Sequence, residues 1–571
     1  MENSQVADIF DEIADLLELQ EANEFRIRSY RNAARTVRDL SQRLEDLVED
    51  GKELTDLPNI GDSTAGKIRQ ILETGTCDRL EKLRRELPGE LPELMRVPQL
   101  GPRRAMKLYR ALGVESLEDL RKVCEEHRVR EVEGLGEKSE QKILAGIQRL
   151  EAVAGRFLLR DAADHVEALE RHLRDLSSVQ RWEIAGSFRR RKETIGDLDV
   201  LVLADDRAEA TDQILDYGPI EEVLSRGEER VSVRLDSGLQ IDFRFFEPEA
   251  FGAALMYFTG SKAHNIAVRQ LAVDRDWKLN EYGLFKDDSL LAGKTEEAIY
   301  HRLNMAWVPP ELREDRGEVQ AAANGELPEL IELDDIRGDF QAHTDATDGA
   351  ATLKEMAEAA RELGYHYLAI TDHSQRVTVA GGLDEDGTRR QADAIRELDA
   401  SLDDLWLMAG IEVDVLKDGS LDLDEDVLAE LDWVVASVHY NRDMSEEDMS
   451  ERLLSAIGSG VVHCLGHPTG RIIGEREPIS FDVDRVLEAC RDCGVWVEIN
   501  AYPDRLDLPD TYCKGAAEAG VQFTISTDAH KRSDLQFMRF GVDTARRGWL
   551  EKKDVLNTRT VKQLRKAIQR G

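Results

Sequence analysis

The 571-residue sequence predicts a multidomain protein of mixed α+β and α/β class: a helical N-terminal portion, a middle built on a mixed sheet, and a C-terminal distorted barrel of parallel strands. Three observations predict it. The chain exceeds the roughly 250–300 residues at which a single hydrophobic core stops growing. Its texture changes twice, to strand-like runs near residue 180 and to a regular alternation of short apolar runs and helix-like segments after residue 333. A turn-plus-helix pattern also recurs three times within the first 150 residues.

In the N-terminal portion, Ile9, Ile13, Leu16 and Leu17, then Val37, Leu40, Leu44 and Leu47, recur at helical spacing and predict amphipathic helices. The repeated segments are LTDLPNIGDSTAGKIRQIL (54–72), LMRVPQLGPRRAMKLYRAL (94–112) and REVEGLGEKSEQKILAGI (130–147). Their turns, Pro58-Asn59-Ile60-Gly61, Pro98-Gln99-Leu100-Gly101 and Gly134-Leu135-Gly136, let backbone N–H groups face outward at a helix N-terminus, where they bind phosphate without reading sequence. One such turn is an ordinary helix connection, whereas three favour DNA. Asn59 and Gln99 hold the first turn position, and Asn accepts a left-handed backbone more readily than Gln.

The middle portion has strand-like runs WEIAGSF, DLDVLVLA, ERVSVRL and LQIDFRFF. On a strand, Asp197 and Asp199 alternate with Leu198 and Val200, so both carboxylates face one side. Asp242, between Ile241 and Phe243, supplies a third carboxylate if its strand is a neighbour. Hard oxygen ligands on one face suit Mg²⁺, and three acids around two metals align a 3′ hydroxyl and a triphosphate for in-line displacement. Gly186, Ser187 and the cations Arg189 to Lys192 offer groups for phosphates beside these acids. The stretch 312–332 is charged and poor in large apolar residues, and reads as a linker.

Beyond it, YHYLAITDHS, LWLMAGIEVD, LDWVVASVHY, VVHCLGHP, GVWVEIN and VQFTISTDAH give the rhythm of a parallel α/β barrel, in which the C-terminal ends of the strands carry functional groups. His343 and Asp348 stand in QAHTDATDG, before these runs, and His373, Glu412, His439, His467, Asp528 and His530 stand at or near the ends of them. Mixed imidazole and carboxylate donors suit Zn²⁺ or Mn²⁺, and such metals activate hydroxide for attack on phosphorus.

The formal net charge is −39, divided as −6 over residues 1–150, −14 over 151–332 and −19 over 333–571. Lysines number 20 against 56 arginines, an acid-rich and Lys-poor balance that reads as adaptation to high internal salt ahead of ordinary acidity. At molar salt the Debye length is about 3 Å, so net acidity does not exclude DNA. No apolar run approaches the roughly 20 residues of a membrane span, and the opening MENSQVADIF does not read as a signal peptide, so a cytoplasmic, nucleoid-associated protein with no membrane partner is expected. Six cysteines are too sparse for a disulfide framework, and Cys490 with Cys493 reads as a pair of ordinary half-buried thiols.

The motif G-S-F-R-R through D-L-D-V, the later I-D-F-R, and Tyr257-Phe258-Thr259-Gly260-Ser261 followed by Asn265 and Arg269 resemble the X family of DNA polymerases across residues 1–316. The resemblance implies that Asp197, Asp199 and Asp242 are catalytic and bind two Mg²⁺ (or Mn²⁺) ions, that Gly186, Ser187, Arg190 and Gly196 contact the triphosphate, that Tyr257, Phe258 and Gly260 line the sugar pocket, and that Asn265 and Arg269 sit at the nascent base pair and the template. It also implies DNA binding at Gly61, Gly101, Gly134 and Gly136, and places Lys67 where some relatives carry a Schiff-base lyase; contact with a phosphate is the other reading of Lys67. Gln240 and Lys262 depart from the pattern of some relatives. His343 through His530 resemble the PHP (polymerase and histidinol phosphatase) domain across residues 333–571, which implies an Mn²⁺- or Zn²⁺-dependent 3′–5′ exonuclease or phosphoesterase. Gln341 replaces the first His of many relatives, while His366 and His463 fall outside the motif and read as structural.

The implied domains are 1–85, a helical gap and 5′-end binding domain; 86–150, a second helix-hairpin-helix domain; 151–250, a nucleotidyltransferase palm; 251–316, a thumb-like nucleotide-selection subdomain; 317–332, a linker; and 333–571, the barrel. The expected protein is a monomer that fills short gaps in primer-template DNA from deoxynucleoside triphosphates and processes 3′ ends. The alternative is a phosphoesterase brought to gapped DNA by a catalytically weak polymerase body.

Overall fold

The computed structural model describes residues 3–569 apart from 21, 39–43, 45–47, 49–51, 58, 87–90, 95–96, 98–99 and 154. The chain divides into two compact units, residues 1–154 and the bulk of 155–571.

The first unit is helical. Helices Asn3–Leu19 and Glu24–Arg38 bury Phe10, Ile13, Leu16, Leu17 and Val37 in one core, as their spacing predicts; Leu40 and Leu47 lie outside the described residues. The three repeated segments each deliver a glycine turn to a helix, Asp62–Thr74, Pro102–Leu112 and Glu137–Val153. Gly61 and Gly101 are the N-caps of the first two. Gly75 (φ +76°) and Gly113 (φ +72°) end those helices in the left-handed conformation that a side chain would oppose.

The second unit begins with a five-stranded mixed sheet: β1 (Val179–Ile184), β2 (Asp197–Ala204), β3 (Ile220–Arg226), β4 (Arg230–Leu235) and β5 (Gln240–Phe245). The strand order is β1-β2-β5-β4-β3, with β2 and β5 parallel and the other pairs antiparallel. Leu198, Val200 and Val202 of β2 and Ile241, Phe243 and Phe245 of β5 join the core, which leaves the alternate residues, the acids among them, on the opposite side.

Helices Phe251–Thr259 and Lys262–Val273, the antiparallel strands β6 (Lys278–Asn280), β7 (Gly283–Lys286) and β8 (Ser289–Ala292), and helix Glu296–Arg302 follow. A Cβ on Gly252 would come within 2.3 Å of the Thr295 backbone, so only glycine permits this helix approach. The supposed linker is part of this body. Helix Glu318–Asn324 packs Val319 and Ala322 against its core, Leu327 and Leu330 follow, and Arg313 and Glu318 are wholly buried. The Glu318 carboxylate is 2.7 Å from His264 Nδ1 and accepts the backbone N–H groups of Asp315 and Arg316. The stretch looks like a linker because charged residues and alanines dominate it, although Leu312, Leu330 and Ile331 are buried along with Arg313 and Glu318.

The barrel comprises β9 (Gly338–Ala342), β10 (Tyr367–Ile370), β11 (Trp406–Asp414), β12 (Trp433–Ser437), β13 (Cys464–Leu465), β14 (Trp496–Asn500) and β15 (Phe523–Ser526), parallel and paired in sequence order. A parallel bridge between Ala342 and Ala529 nearly closes the ring. Almost every strand residue is buried, as expected where helices cover a parallel sheet. Cys490 is buried and Cys493 exposed on helix Val483–Cys493, and neither is in a disulfide.

Candidate functional sites in the sheet and the barrel

β2 and β5 are neighbours, and their register sets Asp199 opposite Asp242. Asp197 is exposed, Asp199 is half-buried and Asp242 is buried. Arg244 donates from Nε to Asp199 Oδ1 and from Nη2 to Asp242 Oδ2, both at 3.1 Å, and Arg230 donates to Asp242 Oδ2 at 2.6 Å. Burial pushes the Asp199 carboxyl above its usual range against the pull of Arg244. For Asp242 burial is outweighed by the donors around it, Arg230 and Gln240 among them, and its pKa falls. Three carboxylates share one face of the sheet, two of them drawing guanidinium charge, and hard oxygen donors of this kind suit divalent cations.

Gly186 opens the turn beside these acids with φ +65°, and a Cβ there would meet Asp199 Oδ2 at 3.3 Å. Ser187 lies in the same turn. Gly196 immediately precedes β2, and a Cβ on it would sit 3.1 Å from the Arg156 guanidinium. Of the cations Arg189 to Lys192, Arg190 reaches the Thr259 carbonyl beside Gly260 and pairs with Glu314 at 3.1 Å. Arg189 instead clamps Glu296 through two bonds of 2.8 Å, Arg191 lies 3.6 Å from Asp543, and Lys192 lines a cavity against the barrel. The run is therefore not a single phosphate cradle: most of its charge ties the sheet to its neighbours. Tyr257 and Phe258 face different spaces. Phe258 stacks under Arg244 (4.3 Å) in a cleft with Arg230 and Tyr282, whereas Tyr257 shares a small pocket with Asn265, Arg269 and Asn280. Asn265 donates to the Tyr257 carbonyl at 2.7 Å.

At the C-terminal rim of the barrel, all eight singled-out residues meet. His343, Asp348, His373 and His530 present ligand atoms within 4.8 Å of one another, and so do His373, Glu412 and His439. His467 Nε2 is 2.9 Å from Glu412 Oε1, and His343 Nε2 is 3.1 Å from Asp528 Oδ1. His343, Glu412, His467 and Asp528 form a buried floor, while Asp348, His439 and His530 form an accessible mouth. His467 (φ +25°) and Asp528 (φ +54°) hold left-handed backbone, an arrangement that costs energy and recurs at functional sites. Burial would lower the His530 imidazole, but Asp348 and Asp528 overcome it and raise it to about 9; Asp348 and Glu412, although burial opposes it, are held well below the carboxylate range by the surrounding imidazoles. The buried atoms Gln341 Oε1, His343 Nδ1, His467 Nδ1 and Glu498 Oε1 have no hydrogen-bond partner. Such imidazole and carboxylate donors, closely packed and partly orphaned, fit Zn²⁺ or Mn²⁺.

Several neighbours of this cluster were not singled out in the sequence. Glu498 is wholly buried, accepts the His467 N–H at 2.7 Å, and is pushed well up by burial and by Asp528. Asn500 donates to Asp528 Oδ2, Asp414 Oδ1 is 3.2 Å from His439 Nδ1, and Asp372 accepts from Thr344. Their signal was present, since Glu498 and Asn500 end the run GVWVEIN and Asp372 precedes His373. Gln341 Nε2 reaches Asp528 Oδ1 at 3.4 Å. His463 accepts from the Val434 N–H and stacks on Trp433, away from the cluster, and the His366 N–H donates to the Arg337 carbonyl.

In the first unit Asn59 adopts φ +62° and Gly134 φ +81°, the left-handed positions of their turns, whereas Pro58, Pro98 and Gln99 lie outside the described residues. A Cβ on Gly61, Gly101 or Gly136 would meet nothing within 4 Å, so the backbone over these turns is open. Half-buried Lys67 donates to the Ser63 carbonyl and hydroxyl at 2.9 and 2.7 Å.

Comparison with known proteins adds independent findings. Family models match for a helix-hairpin-helix domain (residues 1–77), a SAM-like helix-hairpin-helix tandem (91–149), a DNA polymerase beta palm (159–232), a DNA polymerase beta thumb (254–314) and a PHP domain (339–501). The chain is 36% identical to the DNA polymerase/3′-5′ exonuclease PolX of Bacillus subtilis over the full length of both. It is 27% identical to a probable phosphatase of Thermoanaerobacter sp. (strain X514) over 38% of this chain and 89% of that protein. A probable phosphatase of Vibrio parahaemolyticus is 28% identical over 42% and 95%, respectively.

Proposed function

The chain belongs to the X family of DNA polymerases that carry a PHP domain, and from that premise we propose a DNA polymerase with 3′–5′ exonuclease activity that fills short gaps during repair and processes 3′ ends. One observation carries the proposal: a single chain holds two separate divalent-metal donor sets, the Asp197, Asp199 and Asp242 carboxylates in the palm and the His343 to His530 cluster in the barrel.

Metals held by the three palm acids would supply Lewis-acid stabilisation of the transferring phosphoryl group and lower the pKa of a primer hydroxyl. The protein's own groups do the rest. The turn at Gly186 and Ser187 offers backbone N–H groups for the triphosphate, and Arg190 beside Gly260 offers a cation. Arg244 holds one oxygen of Asp199 and one of Asp242, so it would compete with a cation for those two atoms and orient the carboxylates for it. Tyr257, with Asn265 and Arg269 in its pocket, is the side chain we assign to the sugar and the new base pair, while Phe258 packs under Arg244 in the neighbouring cleft. In the barrel the floor residues would hold Mn²⁺ or Zn²⁺, and the mouth at Asp348, His439 and His530 admits a 3′ phosphodiester. The open glycine turns bind the DNA backbone, and Lys67 serves as a phosphate contact beside the first of them.

A labelled one-nucleotide-gapped duplex resolved on a denaturing gel tests the reading. Extension in Mg²⁺ with nucleotides and shortening in Mn²⁺ without them are expected, and the absence of both refutes it.

A further inference from the structure

Arg191 and Lys192 point away from the palm acids and, with Arg316, Arg471 and Arg547, line a cavity of about 190 Å³ between the palm and the barrel. Only two carboxylates share that lining, Glu193 and Asp510. Behind it, Glu314 pairs with both Arg190 and Arg547, and Asp543 lies near Arg191. Six cations against four carboxylates leave two positive charges in excess, in a chain whose net charge is −39. The guanidiniums are largely engaged. Arg471 holds Glu193 and the Leu506 carbonyl, while Arg316 and Arg547 share Asp510. Lys192 differs: among the described residues no carboxylate reaches its ammonium at ion-pair distance, and burial beside Arg547 lowers its pKa. Glu314, Asp510 and Glu193 pull the other way but none of them contacts Lys192, so its ammonium is confined beside Arg547 with no bonded partner among the described residues, a position that an anion in the cavity would complete.

We propose that this cavity binds a small phosphate anion, orthophosphate or pyrophosphate. Pre-positioned guanidiniums match phosphate oxygens through paired N–H donors, and Lys192 adds a compact point charge. Thr511, exposed in the first turn of helix Asp510–Glu518, adds a hydroxyl to the wall. The Arg547 side chain is buried and donates to the Arg190 carbonyl at 2.6 Å. An anion held here therefore fastens the phosphate-side turn of the palm to the barrel, and the two products that phosphoryl chemistry releases are the anions that fit.

The test is a ³¹P NMR titration of the full chain with orthophosphate and with pyrophosphate, in chelator and at constant ionic strength, with nitrate as the control anion. Saturable binding of at least one of the two is expected, weakened tenfold or more in Lys192→Met and retained in Lys192→Arg. Ser187→Ala and His530→Ala, which alter the palm turn and the barrel cluster, should bind as the parent does. Tighter pyrophosphate binding identifies the polymerase product as the ligand, and tighter orthophosphate binding the phosphoesterase product. No saturable binding, undiminished binding in Lys192→Met, or loss in Ser187→Ala or His530→Ala overturns the proposal. If Lys192→Met does not fold by circular dichroism, Thr511→Glu, which places a carboxylate in the cavity, must abolish binding instead.

Discussion

Asp199 and Asp242 face each other across two parallel strands, and one guanidinium, that of Arg244, lies 3.1 Å from an oxygen of each. One cation of the chain thus ties the two facing carboxylates together.

Arg244→Met should accordingly destabilise the metal-free protein, by about 1–3 kcal/mol for the lost charged hydrogen bonds. It should also make Mg²⁺ more stabilising, because the ion no longer displaces a guanidinium. Thermal unfolding with chelator and with Mg²⁺ measures both; an equal Mg²⁺ shift in parent and variant contradicts the competition.

The thumb is pinned by Glu296, which accepts from Arg189, Arg313 and Trp307 while Arg313 is fully buried. Burial would raise its pKa, but Arg313 and Arg189 hold it well below the usual range. A depressed carboxylate contributes stability that is present above its unfolded pKa near 4.5 and lost as pH falls. Glu296→Gln should lower stability at pH 7.5 by about 3–5 kcal/mol, since it strands a buried guanidinium. By denaturant midpoint, the gap between variant and parent should narrow toward pH 4.

Asp543 has the opposite sign. Burial pushes it up from 3.8 to about 6 despite Arg191. Its contribution is fully present below pH 3.8 and lost as pH rises through about 6. Asp543→Asn removes that loss, so the variant should gain on the parent between pH 4.5 and 7.5, by at most about 3 kcal/mol. Urea midpoints at the two pH values check this, and parallel profiles contradict it.

Much of this architecture was legible in the sequence, and the exceptions have physical reasons. Strand periodicity put Asp197 and Asp199 on one face, and the I-D-F-R run named the partner strand; the register that sets Asp242 opposite Asp199 is a long-range pairing that no local pattern gives. The barrel cluster could be read because most of the candidate ligands lie at or just beyond the C-terminal ends of parallel strands, where the fold gathers side chains from distant segments. Arg189 to Lys192 misled as a unit because residues in a tight turn point in divergent directions, and Arg191 and Lys192 turn toward the barrel. The stretch 312–332 misled because Arg313 and Glu318 are buried by pairing, which composition does not reveal.

Gln341 carries a buried, unpartnered Oε1 beside Asp528. Gln341→His supplies an imidazole donor at that place, and tighter Mn²⁺ retention is expected, about tenfold in affinity, the scale of a neighbour that tunes a metal site. Metal content after dialysis against graded chelator measures it; unchanged retention contradicts a ligand position at residue 341.

The central claim is that one chain holds two independent metal-dependent sites. The most direct test compares Asp199→Ala and His530→Ala with the parent on the gapped duplex at high potassium chloride. Asp199→Ala should lose extension, by at least about a hundredfold, the scale of removing a preorganised electrostatic group, and keep Mn²⁺-dependent shortening; His530→Ala should do the reverse. Loss of both activities in either variant, or of neither, would contradict the account.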